Sequence, residues 1–370
     1  MYIIYVDFVL KNKITIKKLG ITFRKLSAKE RKFLIEQTSL VLKYKRDINK
    51  LYSKYEKESS NSNKYLFDIM NYDSPKRDII MSGYSLLNSG FKFNNKNKID
   101  YIIEHLLIVE CDETKICKYI EKNSIKKFVS NLLSLYNIYT DTMNIKNMVT
   151  NRDYTFILDD NILLGNSEFF YNDILMNIVL SYSDDDKKIK NHILKYIELN
   201  EIYLKVISGF IENLNEEDIF KFFEVLDMLY SQTYTIQNKI LNYVTIVESL
   251  IINENDNIQK SYVLKGGMIL KQYLGSESSS SNDAIKLLLN FVYDIRSDII
   301  HGNLKKIEND LNKINQKNKK VKELIGEVPE FISKKDKSFR VAYTISLFVA
   351  RSIVKYWIDF PYKVQYLKRN

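Results

Sequence analysis

Residues 284–303, AIKLLLNFVYDIRSDIIHGN, hold the reading from which the rest of the chain is built. The segment reads as an apolar helix that carries Arg296 and a short polar run before His301. Gly302 closes it, placed as the left-handed residue that ends many helices. The helix is expected to begin at Asp283, a good N-cap residue, after a flexible loop GSESSSSN over 275–282. Near its end the face changes chemistry: Arg296, Ser297 and Asp298 give way to Ile299, Ile300 and His301. Arg296 and His301 are five positions apart, about 140° around an ideal helix, so a shared groove requires the chain to bend at His301.

Working outward, the same pattern repeats on both sides. Ile240, Val244, Val247 and Leu250 mark a helix over about 236–252, and NENDN (253–257) is a polar turn. A helix over about 256–274 follows, with Gly266 and Gly267 inside it. Each glycine costs about 1 kcal/mol of helix propensity, which implies close approach by a neighbouring helix. A Lys/Asn-rich stretch (303–322) leads to a last helix over about 337–357. Upstream, helices are expected over 187–211 and 216–230, and between 100 and 139. Residues 2–23 and 154–165 are rich in β-branched and aromatic residues and read as strands. Ser27, with Glu30 three residues on, opens a helix through a capping box. Ten Gly and three Pro in 370 residues are too few for the turns of an all-β protein. The fold class is therefore mainly α, with a mostly helical α+β region over 1–235 and a helical bundle over 236–370.

Charge divides along the same line. The chain carries a formal net charge of +10, of which residues 236–370 hold +8 (22 Lys+Arg against 14 Asp+Glu). A cationic domain suits a polyanionic partner such as RNA, because neutralised phosphates supply affinity without regard to sequence. A solvated lysine-rich surface gives the same count, as does an AT-rich coding bias. Two cysteines, Cys111 and Cys117, make no disulfide framework. With His105 they form a five-residue spacing that fits zinc poorly; no metal and no cofactor is expected. Asp184–Asp186 reads as a loop, and His192 has no evident partner. The start, MYIIYVDF, lacks the features of a signal peptide. The apolar run Val341–Ala350 between Arg340 and Arg351 is short of the roughly 20 residues a membrane needs. Together these predict a soluble, cytoplasmic protein without a membrane partner.

The stretch YDIRSDIIHG, 293–302, is similar to the signature of the Apea-like branch of the HEPN superfamily: Tyr-Asp-x-Arg-Ser, apolar positions, then His-Gly. IVESLIINENDN (246–257) resembles that family's first helix, with Glu248 at its acidic position, so the resemblance covers about residues 236–360. The sequence departs from the family at Ser297, where Asn, Asp or His is common after the Arg, and at Lys265 and Gly266-Gly267 in the second helix. What the resemblance implies is a homodimer that brings two Arg296–His301 pairs into one cleft. It implies a metal-independent endoribonuclease, acting as a toxin or an abortive-infection antiphage effector. In it His301 is the acid or base, Arg296 stabilises phosphoryl charge, Ser297 or Asp298 orients the imidazole, Glu248 positions Arg296, and Tyr293 stacks on a base. RNA, transfer RNA included, is then the substrate; a phage-derived trigger or an antitoxin is the regulator, sensed or restrained by residues 1–235. A solvated Glu248 and a packed Tyr293 are the plainer alternatives. The rival functions are a non-catalytic RNA-binding or dimerisation scaffold and a partner for a nucleotidyltransferase antitoxin.

Overall fold

The computed structural model describes residues 2–5, 10–32, 106–135, 155–158, 186–230, 235–274, 279–303 and 334–369, together with a few positions between 35 and 77 and Lys306. The described chain is mainly helical and carries one small sheet. It separates into two compact units, one formed by Met1–Lys126 and Arg152–Ser208, the other by Lys127–Asn151 and Gly209–Asn370. The compositional division at 235/236 thus falls inside the second unit.

In the first unit, β1 (Tyr2–Tyr5), β2 (Ile14–Ile16), β3 (Ile21–Lys25), β4 (Leu107–Cys111) and β5 (Thr155–Leu158) form an antiparallel sheet of order β2-β3-β4-β1-β5. The strands expected over 2–23 and 154–165 are here, as far as residues are described. Leu107–Cys111 corrects the helical expectation for 100–128. LLIVEC lies between β3 and β1, paired on both edges, with Leu107, Ile108, Val109 and Cys111 buried. A short unbroken apolar run of that kind suits a two-sided buried strand as well as a helix, and sheet pairing decides it. After β4 come a one-turn helix α1 (Glu113–Ile116) and a 3₁₀ turn (Lys122–Ser124).

The polar break at 11–13 turns on Glu201. Its Oε1 accepts the backbone N–H groups of Lys11 and Asn12 at 2.6 Å each, and its Oε2 accepts Asn12 Nδ2 at 2.9 Å. Ser27 and Glu30 make the expected capping box: Glu30 Oε2 accepts the Ser27 N–H at 2.6 Å, and Ser27 Oγ accepts the Glu30 N–H at 3.3 Å. Arg24 adds two bonds to Glu30 at 2.8 Å and one to Glu110 at 2.7 Å.

Helices α2 (Ile125–Ser134) and α3 (Asp186–Asn213) lead into the second unit, which contains α4 (Glu216–Tyr230), α5 (Ile236–Ile251), α6 (Ile258–Leu274), α7 (Ser279–Ile300), α8 (Lys334–Asp359) and α9 (Pro361–Arg369). Helix α5 is the hub. It packs on α4, α6, α7, α8 and α9, and most extensively on α8. Its buried residues Ile240, Tyr243, Val244, Ile246, Val247, Leu250 and Ile251 fall within about 160° of the helix circumference, a broad apolar face, while Asn238 and Thr245 on the opposite side are exposed. An aromatic cluster fixes the other end: Trp357 sits edge-on to Phe210 at 5.2 Å and to Phe222 at 6.0 Å. Helix α2 docks through Phe128, stacked 3.9 Å from Phe223, and through Asn131 Nδ2, which donates to the Leu226 carbonyl.

Two boundaries differ from expectation. Helix α7 begins at Ser279, so four residues of the expected loop are helical and Asp283 is not the cap. Helix α9 was not anticipated; Pro361 occupies its first position, where the missing N–H is no loss. Val341–Asp359 of α8 is long and apolar enough to cross a membrane by length and composition, and 78% of it is buried inside the protein.

Candidate functional site

The candidate residues all lie on α5 and α7 and on the turn that ends α7. That turn is a Schellman motif. The Asn303 N–H bonds the Asp298 carbonyl at 2.8 Å, the Gly302 N–H bonds the Ile299 carbonyl at 3.2 Å, and Gly302 takes φ +72°. The His301 N–H still bonds the Ser297 carbonyl at 3.0 Å, so helical geometry persists through His301. The bend that would swing its ring back over Arg296 is absent. Arg296 and His301 keep the roughly 140° separation of an ideal helix. His301 is exposed and Arg296 is half-buried.

Arg296 turns towards α5. Its Nε lies 3.2 Å from Glu248 Oε1, and its Cζ lies 5.7 Å from the centre of the Tyr293 ring. The Glu248 contact is an ion pair by distance but lacks the directional geometry of a hydrogen bond, since Oε1 is buried without a hydrogen-bond partner. Burial pushes the Glu248 carboxyl above the usual carboxylate range, and the Arg296 charge offsets that only in part. Glu248 is therefore a half-buried partner of Arg296, not a solvated helix residue. Tyr293 packs against Tyr262 with ring centres 5.6 Å apart. Tyr262 is fully buried and its hydroxyl has no hydrogen-bond partner; burial, followed by the nearby Glu248 charge, drives its phenol upward.

Ser297 reaches His301 through its backbone carbonyl, and the Asp298 carbonyl bonds Asn303 instead. The Asp298 side chain is buried, with Oδ1 accepting from Lys306 Nζ at 3.2 Å and Oδ2 unpartnered. Through Lys306 it ties down the segment after the cap. Lys265, the departure from the family pattern, is also buried. Its Nζ donates to Asp256 Oδ2 at 2.8 Å, and the same oxygen accepts the Asn253 N–H at 3.0 Å, so Lys265 pins the turn between α5 and α6. Gly266 and Gly267 are approached by a side chain, not by backbone: a Cβ added at either position would meet Leu289 of α7 at 3.4 Å and 3.8 Å respectively.

Among the described residues no group of His, Cys, Asp and Glu is arranged to hold a metal. Cys111 lies inside the sheet, where burial pushes its thiol up to about 12, while Cys117 is exposed. His105, Asp184 and Asp185 lie outside the described residues, and the described part of the 303–322 stretch is Asn303 and Lys306. Sequence reasoning did not find Tyr262, Lys306 or Asp256 as neighbours of the site. Tyr262 is one apolar-face tyrosine among 27, and nothing in its spacing singles it out. Comparison with protein-family models, curated proteins and solved structures finds no match for this chain.

Proposed function

We propose that the second unit is a HEPN-like, metal-independent endoribonuclease that works as a homodimer in the cytoplasm, as a toxin or antiphage effector. The observation that carries this reading is the arrangement on α7: a half-buried Arg296 held by Glu248 and the Tyr293 ring, with an exposed His301 five residues on at a rigidly capped helix end. A guanidinium is suited to phosphoryl oxygens, which it meets with two parallel donors. A solvent-facing imidazole is accessible to a substrate as a proton donor or acceptor.

In the reaction one His301 takes the proton of a ribose 2′-OH as its oxygen attacks the adjacent phosphorus. The bond from phosphorus to the 5′-oxygen breaks, and a protonated His301 from a second copy supplies the leaving oxygen with its proton. The products are a 2′,3′-cyclic phosphate and a 5′-hydroxyl. Arg296 stabilises the charge that builds on the non-bridging oxygens. One copy supplies one imidazole, so both proton transfers require a pair of chains. Residues 1–235 then sense a trigger or restrain the site.

A second reading has its own support. Arg296 is already engaged by Glu248, and its side chain diverges from His301, as suits a structural Arg in a non-catalytic HEPN scaffold that binds RNA or an antitoxin partner. One experiment separates the two: purified chain incubated with total and transfer RNA in excess EDTA, beside His301→Ala and Arg296→Ala. The nuclease reading expects cleavage by the wild type alone, with cyclic-phosphate ends seen by mass spectrometry. Intact RNA in all three samples, with toxicity in cells unchanged by His301→Ala, overturns it in favour of the scaffold.

A further inference from the structure

Away from Arg296, two ammonium groups converge on one neutral acceptor. Lys221 Nζ of α4 donates to the Ser249 carbonyl at 2.5 Å, and Lys368 Nζ of α9 donates to the same oxygen at 3.1 Å. Neither lysine has an ion-pair partner among the described residues. One carbonyl dipole does not balance two positive charges held this close. Burial, then the Lys368 charge, lowers the Lys221 pKa to about 8.

Both lysines line a cavity of about 290 Å³ whose walls come from α4, α5, α8 and α9. Trp357, Leu250 and Val364 give it an apolar side, and Arg369 adds a third cation at its exposed edge. The acidic groups facing Lys221 are Glu217 and Asp218 of its own helix. Asp218 Oδ2 is occupied by Gln365 Nε2 at 3.0 Å. Helices α5 and α8 contribute no titratable side chain to the lining.

We propose that this cavity binds the phosphate group of a small molecule, with Lys221 and Lys368 as its clamps and Arg369 at the mouth. A phosphate dianion balances two ammonium groups and offers each a charged oxygen in place of the shared carbonyl. The volume lies at the lower end of small-molecule pockets, about 300–1,000 Å³, which fits a phosphate and a short organic remainder against the Trp357 side. Glu248 and Ser249 are consecutive, so this site and the Arg296 site share the last turn of α5.

The test is isothermal titration of the full chain with inorganic phosphate at pH 8, using wild type, Lys221→Met, Lys368→Met, the double variant and Lys363→Met. The last residue sits over the Phe360 ring and is outside the cavity. Saturable one-site binding by wild type and Lys363→Met, at least tenfold weaker in each of the other single variants, supports the site. Binding near pH 8 should also take up protons, because Lys221 is partly neutral when free and charged beside the anion. Buffers of different ionisation enthalpy read that uptake, and Lys221→Met should abolish it. Lys368→Met, on a partly exposed position, keeps the test open should Lys221→Met fail to fold. Absence of saturable binding in the wild type, or equal binding by wild type and the double variant, overturns the proposal. Binding without proton uptake overturns the role of Lys221.

Discussion

At the scale of single residues, His301 and Arg296 should behave differently when removed. His301 is exposed and contributes only its backbone to the helix end, so His301→Ala should leave the unfolding transition unchanged. If it is the acid–base group, RNA cleavage should fall by about 10²- to 10⁴-fold in the same variant; a chemical-denaturation curve beside a cleavage assay reads both. Arg296→Ala should lose activity and also stability, since it strips Glu248 of its counter-charge and leaves a half-buried carboxylate alone. Glu30 offers a pH test in the first unit. Burial works against its charge, but the bonds from Arg24 and Ser27 prevail, so its pKa in the folded chain is lowered. A carboxyl of lowered pKa stabilises the fold above the range in which the unfolded group titrates, and loses that contribution as pH falls through the folded value. Glu30→Gln should therefore reduce stability by about 1 kcal/mol at pH 7, with the gap from wild type closing under acid. A gap of constant size from pH 7 to pH 3 would contradict this.

At the scale of elements, periodicity served where a helix has a polar side and failed where an element is buried throughout. Helices α3 to α6 and α8 lie within a few residues of their expected ranges, because their apolar positions recur at 3.6 residues. LLIVEC has no polar side, so its sequence carries no period, and its partners are 82 or more residues away in β3 and β1. The Ser279 start of α7 escaped because serine and aspartate favour caps and turns only as tendencies, which packing overrides. The site shows the same division. Arg296 and His301 were singled out by one local motif and Glu248 by a second, whereas the Lys221–Ser249–Lys368 convergence joins positions 28 and 119 apart and leaves no local trace. Two glycines test the helix geometry in opposite directions. Gly302→Ala should destabilise by about 1–2 kcal/mol, although a Cβ there meets nothing, because φ +72° is unfavourable for an L side chain. Gly267→Ala should stabilise by up to about 1 kcal/mol, since the Leu289 methyl at 3.8 Å is an ordinary contact. Thermal melts of both variants check the pair of signs.

At the scale of the whole molecule, the proposed chemistry makes activity a property of two chains. Specific activity should rise with protein concentration and level off as dimers saturate, and sedimentation velocity should place the mass change over the same range. Mixing His301→Ala with Arg296→Ala tests this further. If the two proton transfers fall on different copies, the mixed dimer still has only one imidazole, and activity should stay far below wild type. Full recovery on mixing would refute a two-imidazole cleft.

The order of strands in the sheet has a consequence for how the chain is made. Tyr2–Tyr5 leaves the ribosome before both of its partners, yet it lies inside the sheet, between Leu107–Cys111 and Thr155–Leu158. At about 5–20 residues per second, its second neighbour emerges roughly 8–30 s after it. Through that interval at least one edge of an apolar strand presents open backbone groups, a template for wrong pairing between nascent chains. Covering this strand during synthesis, by a chaperone or by slow local translation, should raise the yield of folded protein.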